Sequence, residues 1–340
     1  MAERVGVGVV GCGAIAQRYH IPALQSSPYT EVAVVVDVDS VRARETAERF
    51  GIPAWSTDYT NVFSDDKIAA VSVCTPNKFH AVTSVGAARA GKHVLCEKPM
   101  AMDMEEANRM VEAARQAGTF LMVEFPMRFD PGYAAARQAV ETGMLGEIVS
   151  VRSNWAHGGP QLWSPSGKWF FAKDAAGGGA LLDLGIHNID FICSLFGDVA
   201  AVLGSMRTLR SDSSVEDIAS LLLEFENGIS GMVTSSWMCL PDVVETEIHG
   251  TKGRLLVSGW PTERVTLSLS GQVKGDMELK FPENKGTQDG HFRCIQYFAE
   301  CIAKNTPPKV ATGDDGRRAI AIAQAGYRSA LEGKRVPVRL

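Results

Sequence analysis

One short segment restricts this chain more than any other. Residues 7–17, VGVVGCGAIAQ, pass from an apolar, β-branched run into glycines and then into helix-forming residues. Gly11, Gly13 and Ala16 stand in a G-x-G-x-x-A spacing. That spacing suits a strand turning sharply into a helix. The first glycine permits the turn, the second lets a pyrophosphate approach the backbone, and the small third residue lets helix and strand pack closely. Ala14 and Ile15 open the helix, whose N-terminal amides and dipole favour a phosphate. Gly11, Gly13, Ala14 and Ile15 are therefore candidate dinucleotide contacts.

The next hundred residues fit that beginning. Apolar runs at 5–10, 32–37, 69–74, 93–96 and 121–125 alternate with helical patterns at 41–50, 80–90 and 104–117. Runs without polar alternation are strands buried on both faces, which implies a parallel, doubly wound sheet flanked by helices. After a helix near 133–142 the texture changes. Longer alternating strands are predicted at 218–226, 231–237, 245–250, 254–258 and 265–270, with turns such as Glu226-Asn227-Gly228 between them. This mostly antiparallel sheet is interrupted by a helix near 178–196, and helices near 290–304 and 314–332 close the chain. At 340 residues the chain exceeds what one core usually supports. The expectation is an α/β protein of two domains, residues 1–125 (a Rossmann domain) and residues 126–340.

Composition narrows the functional classes. A net charge of -5 and the lack of a basic run exclude a polyanion partner such as nucleic acid. The N-terminus carries charges before only a short apolar segment, unlike a signal peptide, and no run reads as long enough to span a bilayer, so no membrane is expected. Seven cysteines, odd in number and without a CxxC, suit reduced thiols and a cytoplasmic location.

The chemistry-bearing residues lie where strands end. Asp37 closes the second strand, where a carboxylate accepts hydrogen bonds from an adenosine ribose and repels a 2′-phosphate. That favours NAD, with NADP possible because Arg42 and Arg44 follow closely. In VCTPNKFHA, Thr75, Pro76 and Asn77 end the strand beside the switch point and are expected to line the cofactor, with His80 starting the next helix. Glu97-Lys98-Pro99 leaves a buried strand on the same rim, which makes Glu97 and Lys98 candidates for cofactor contact and Lys98 a candidate for chemistry. In AGGGALLDLGIHNIDFI, Asp183 and His187 stand at i, i+4 on one helix face, and Asp190 is placed to orient the imidazole. With His157 as the only attractive extra ligand, no metal site is expected.

Taken together, GCGAIA, CTPN, EKP and WFFAKDAAGGGALLDLGIHNID resemble the Gfo/Idh/MocA family of NAD(P)-dependent sugar and cyclitol oxidoreductases. The likeness extends to IHGTKGRL and to the ending GDDGRRAIAIAQAGYRSALEGKRVPV. The resemblance implies a second domain that binds substrate and whose large open sheet builds a homodimer or homotetramer. It further implies hydride transfer between a sugar or polyol carbon and nicotinamide. Lys98 would be a catalytic and substrate-binding lysine, Asp183 a ligand of a substrate hydroxyl, and His187 the general acid/base. Lys98 competes with His187 for the proton. Arg128 and Trp169 match positions near the substrate pocket, whereas Phe170 departs from the arginine that relatives often carry. Two other readings share the motifs: a glycosidase-like relative with tightly bound NAD that oxidises its sugar transiently, and a non-catalytic dinucleotide sensor.

Overall fold

A computed structural model describes residues 4–164, 167–271, 276–282 and 289–340. The first three residues, part of the segment read against a signal peptide, lie outside these. The chain divides into two compact units. The first comprises Met1–Phe125, Asp174–Ala176 and His291–Arg317, and the second comprises Pro126–Lys173, Gly177–Gly290 and Arg318–Leu340. Residues 291–317, read from sequence as part of the 126–340 domain, thus belong with the first unit.

The first unit is built on β1 (Val5–Val10), β2 (Thr30–Val36), β3 (Ala54–Ser56), β4 (Ile68–Val73), β5 (His93–Cys96) and β6 (Leu121–Val123). They form a parallel sheet in the order β3-β2-β1-β4-β5-β6. Strand order reverses between β1 and β4, so the crevice of a doubly wound sheet opens at their carboxyl ends. Val7, Val9, Val35, Val71, Val73, Val94 and Leu95 are fully buried, as two-sided burial demands. The helix Met104–Ala117 shows how sharply the sequence sets its limits. Asp103 accepts from the Glu106 amide, the Glu106 carboxylate accepts from Met102, and Gly118 ends the helix at φ 66°.

The second unit carries β7 (Ile148–Ala156), β8 (Val199–Arg207), β9 (Ile218–Phe225), β10 (Ser230–Ser236), β11 (Val243–Gly250), β12 (Gly253–Ser258), β13 (Arg264–Leu269), β14 (Met277–Glu278) and β15 (Val336–Pro337). Their order is β14-β13-β12-β11-β7-β10-β9-β8-β15. Every pairing is antiparallel except β7 with β10, so the sheet is mixed. One face buries Val151, Trp155, Leu221, Leu223, Val233, Ile248, Leu255 and Leu267, and the helix Ile186–Phe196 packs on it.

Two differences from the sequence reading concern that helix. It is entered through a π-helical turn, Leu181–Gly185, where one wide turn replaces the 3.6-residue repeat. The stretch Lys173–Phe196, 24 residues long, is also long and apolar enough to cross a membrane, which corrects the expectation that no such run exists. Its most apolar window is 89% buried inside the protein, as a core helix would be.

Candidate active site

In the first unit the glycine turn has the geometry its spacing implies. Gly11 has φ 97°, and a Cβ there would lie 2.4 Å from the Cys74 carbonyl oxygen. At Gly13 an added Cβ would meet nothing within 4 Å, so the space above this backbone is open to a ligand. Ala14 is exposed and Ile15 half-buried at the start of the following helix. Asp37, 8% exposed, reaches back to the same turn. Its carboxylate accepts from the Cys12 amide at 2.9 Å, from the Asp39 amide at 3.0 Å, and from Arg42 Nη1 at 3.3 Å. Burial, with the Asp37 charge beside it, pushes the Cys12 thiol up to about 12, so this cysteine stays neutral. Thr75, at the end of β4, keeps a buried hydroxyl with no hydrogen-bond partner among the described residues. Pro76 follows it half-buried. An open glycine cradle, a carboxylate at the end of β2 and a buried unsatisfied hydroxyl together fit a dinucleotide.

The structure redirects two of the residues read as cofactor contacts. Both ring nitrogens of His80 meet backbone oxygens, Thr75 O and Pro99 O, each at 2.8 Å. The imidazole braces two loops and has no nitrogen left for a dinucleotide. Glu97, 5% exposed, is likewise turned inward, and its Oε2 accepts from the Lys98 amide at 3.1 Å. Asn77 Nδ2 donates to the Ala176 carbonyl at 2.9 Å, just before the glycine triplet. Lys98 itself is half-buried, and the Lys98–Pro99 peptide is cis.

In the second unit Asp183 lies within the π-helical turn and His187 one turn on, 6% and 4% exposed. Trp237 Nε1 donates to Asp183 Oδ2 at 2.9 Å, and the His187 ring lies 5.0 Å from Trp155, tilted by 31°. Trp155 in turn packs 5.4 Å from Trp260. Glu216, which sequence reasoning missed, anchors the helix entry. It accepts from the Gly179 and Leu181 amides, both at 3.0 Å, and from the Tyr327 hydroxyl at 2.8 Å. Burial pushes its carboxyl above the ordinary range. No local motif announces Trp155, Trp237 or Glu216, because each acts across the sheet.

Arg128, which the resemblance places near the substrate pocket, is held in an ion pair. Its guanidinium grips Asp190 with two bonds, Nε to Oδ2 at 2.7 Å and Nη2 to Oδ1 at 2.6 Å, and the side chains are 5% and 1% exposed. The pair is a buried strut, with each oxygen of Asp190 accepting from the guanidinium. Trp169 stacks on Phe170 at 3.9 Å, and Phe170 packs edgewise on Trp163 at 5.3 Å. At Phe170, where the resemblance has relatives often carrying arginine, this chain makes ring contacts. Among the described residues no group of three or more His, Cys, Asp and Glu side chains has metal-binding geometry.

Comparison with known proteins agrees with this layout. Residues 5–125 match the oxidoreductase family with an NAD-binding Rossmann fold, and residues 133–256 match the Gfo/Idh/MocA C-terminal domain. The chain is 30% identical to dTDP-3,4-didehydro-2,6-dideoxy-alpha-D-glucose 3-reductase of Actinomadura kijaniata, over 94% of this chain and 93% of the relative. It is 26% identical to myo-inositol 2-dehydrogenase of Thermotoga maritima, over 97% of each. Among solved structures, levoglucosan dehydrogenase in complex with NADH and levoglucosan superimposes with a TM-score of 0.91 at 25% identity, covering 99% of this chain and 100% of that one. A dinucleotide cradle followed by these matches across both units identifies the chain as a member of the Gfo/Idh/MocA family of oxidoreductases, with an NAD-binding Rossmann domain.

Proposed function

We propose that this protein is an NAD-dependent dehydrogenase that oxidises a CH–OH group of a sugar or cyclitol. The observation that carries the reading is the Asp183–His187 pair. Both side chains are buried on one helix face, one held by Trp237 and the other packed against Trp155, in a chain whose other unit is a dinucleotide cradle. Similarity to dehydrogenases of levoglucosan and of inositols supports the substrate class.

Gly11, Gly13, Ala14, Ile15 and Thr75 would hold the dinucleotide, with Asp37 on the adenosine ribose. The chemistry that NAD would supply when bound is a hydride acceptor. The protein's part is to bind the carbinol and move its proton. Asp183, an acceptor fixed by Trp237, takes a hydrogen bond from a substrate hydroxyl. His187 accepts the proton of the reacting hydroxyl, a role suited to imidazole near neutral pH. Lys98, the competitor for that proton, would donate to a substrate oxygen and stabilise developing negative charge on it. The carboxylate at the end of β2 favours NAD over NADP. Seven free thiols among the described residues fit a reducing cytoplasm. The outward face of the sheet, where exposed Leu203 pairs with exposed Leu222, is assigned to self-association.

The test is absorbance at the NADH band with NAD and a panel of levoglucosan, inositols and aldoses. Multiple turnovers with release of NADH are expected. A glycosidase-like cycle on retained cofactor would give none, and a sensor would bind NADH without turnover. Lys98→Met should cut turnover by about 10²-fold or more while NADH affinity, read by fluorescence, stays within a few-fold.

A further inference from the structure

Behind Lys98 lies a group of buried ionisable side chains that the proposed reaction does not use. His20, fully buried, sits in the π-helical turn Ala16–His20 of the helix that follows the glycine turn. Its Nδ1 is 2.7 Å from Ser72 Oγ on β4, and its Nε2 is 2.8 Å from Glu97 Oε1 at the end of β5. The other carboxylate oxygen of Glu97 receives the Lys98 amide, and the Glu97 amide donates to Val73 O at 2.9 Å. Alongside, Glu124 at the end of β6 is fully buried and bonded to His291 at 3.1 Å, and the His291 ring stacks 4.1 Å from Tyr19, the neighbour of His20.

Burial and close neighbours shift these groups in different directions. Burial pushes the Glu124 carboxyl up, and the charge of Glu97 beside it adds to this, against the pull of His291. Burial also opposes ionisation of Glu97, but the hydrogen bond and charge of His20 outweigh it and hold that carboxyl below its ordinary value. Burial works against a charged His20, but the Cys74 sulfur and Glu97 outweigh it and shift the imidazole well above its ordinary range. A buried imidazole–carboxylate contact of 2.8 Å therefore stands directly behind the Lys98 turn.

We propose that His20 is a positioning residue for Lys98: it fixes the Glu97 carboxylate, which fixes the backbone amide of the turn that presents the lysine. The inference rests on the reading of Lys98 as catalytic. No local motif marks His20, which lies 77 positions from Glu97. Breaking a buried pair leaves an uncompensated charge, and the Glu97 side chain must then move or take up a proton. Either change loosens the hold on the Lys98 amide, and small misplacement of a catalytic group costs about 10²-fold in rate.

The test compares His20→Leu, His20→Gln, Lys98→Met and the His20→Gln/Lys98→Met double variant, using levoglucosan or whichever member of the sugar panel gives the highest turnover. His20→Leu should lower kcat by about 10²-fold. His20→Gln, which keeps a neutral donor toward Glu97, should recover much of that loss and serves if the leucine variant does not fold. NADH affinity should stay within a few-fold in each. In the Lys98→Met background the glutamine substitution should cost nothing further, because a residue that acts only through Lys98 is non-additive with it. Independently of turnover, the resonance of isotopically methylated Lys98 in cofactor-free protein should move on His20→Gln. Wild-type kcat in the His20 variants, full additivity with Lys98→Met, a loss that follows NADH affinity, or an unmoved Lys98 resonance would each overturn the proposal. Full turnover in Lys98→Met would sink the catalytic reading of the lysine and this inference with it. Loss in Lys98→Met with unimpaired His20 variants would remove the inference alone.

Discussion

Asp37 performs two tasks that substitution can separate. Its carboxylate would hold the adenosine ribose, and it also braces the glycine turn through the Cys12 amide and restrains Arg42. Hydrogen bonds to a charged group contribute about 1.5–3 kcal/mol, so losing the carboxylate should weaken NAD binding by about 10- to 100-fold. Arg42, whose side chain is 45% exposed, would then be released toward a 2′-phosphate, and the repulsion of that phosphate would vanish. The ratio of kcat/KM for NAD over NADP should fall by about 10²-fold or more. Asp37→Ser makes the largest change but also removes the brace at Cys12. Asp37→Asn keeps an oxygen for the Cys12 amide while removing the charge. The informative result is therefore a fall in that ratio in Asp37→Asn with an unchanged melting midpoint. A wild-type enzyme that already prefers NADP, or an asparagine variant whose ratio does not move, would refute the reasoning.

Three further outcomes are expected. His187→Asn should lose about 10²–10⁴ in kcat for oxidation and flatten the acidic limb of the pH profile; a variant that keeps both would shift the proton to Lys98. Trp237→Phe keeps a ring beside Phe171 but deprives Asp183 of its donor, so kcat/KM should fall about 10-fold or more with little change in NADH binding. Glu216→Gln should reveal a pH-dependent stability. Burial raises the folded-state pKa of Glu216 above its ordinary 4.5, so its contribution is fully present below that value and is lost as pH rises through the folded pKa. Measured by melting midpoint, the glutamine variant should gain on the wild type over that window, and a constant difference from pH 4 to 8 would contradict the assignment.

What could be read from sequence was what backbone geometry dictates. Gly11 needs a positive φ and leaves no room for a side chain, so its identity is written into any chain that makes this turn. Two-sided burial fixes the valine runs of β1 and β2, and a capping aspartate and a terminal glycine fix the limits of Met104–Ala117. Side-chain direction is another matter. Glu97 and His80 lie in the loops where the sequence places them, yet both turn inward, because the carbonyls and amides of two buried loops need partners more than a ligand does.

The rest was hidden because it depends on pairs far apart in the chain. Trp237 finds Asp183 across 54 positions and Glu216 finds Gly179 across 37, and both meetings follow from the register of the large sheet. That register includes the one parallel pairing, β7 with β10, which alternating polarity does not encode because each strand shows the same period in either direction. Both π-helical turns share this character. One lies beneath the glycine turn and carries His20; the other carries Asp183. A π turn has no compositional signature, but it shifts every side chain after it around the helix axis. The i, i+4 spacing of Asp183 and His187 therefore spans a π turn, and their final geometry belongs to that turn and to the tryptophans beside them.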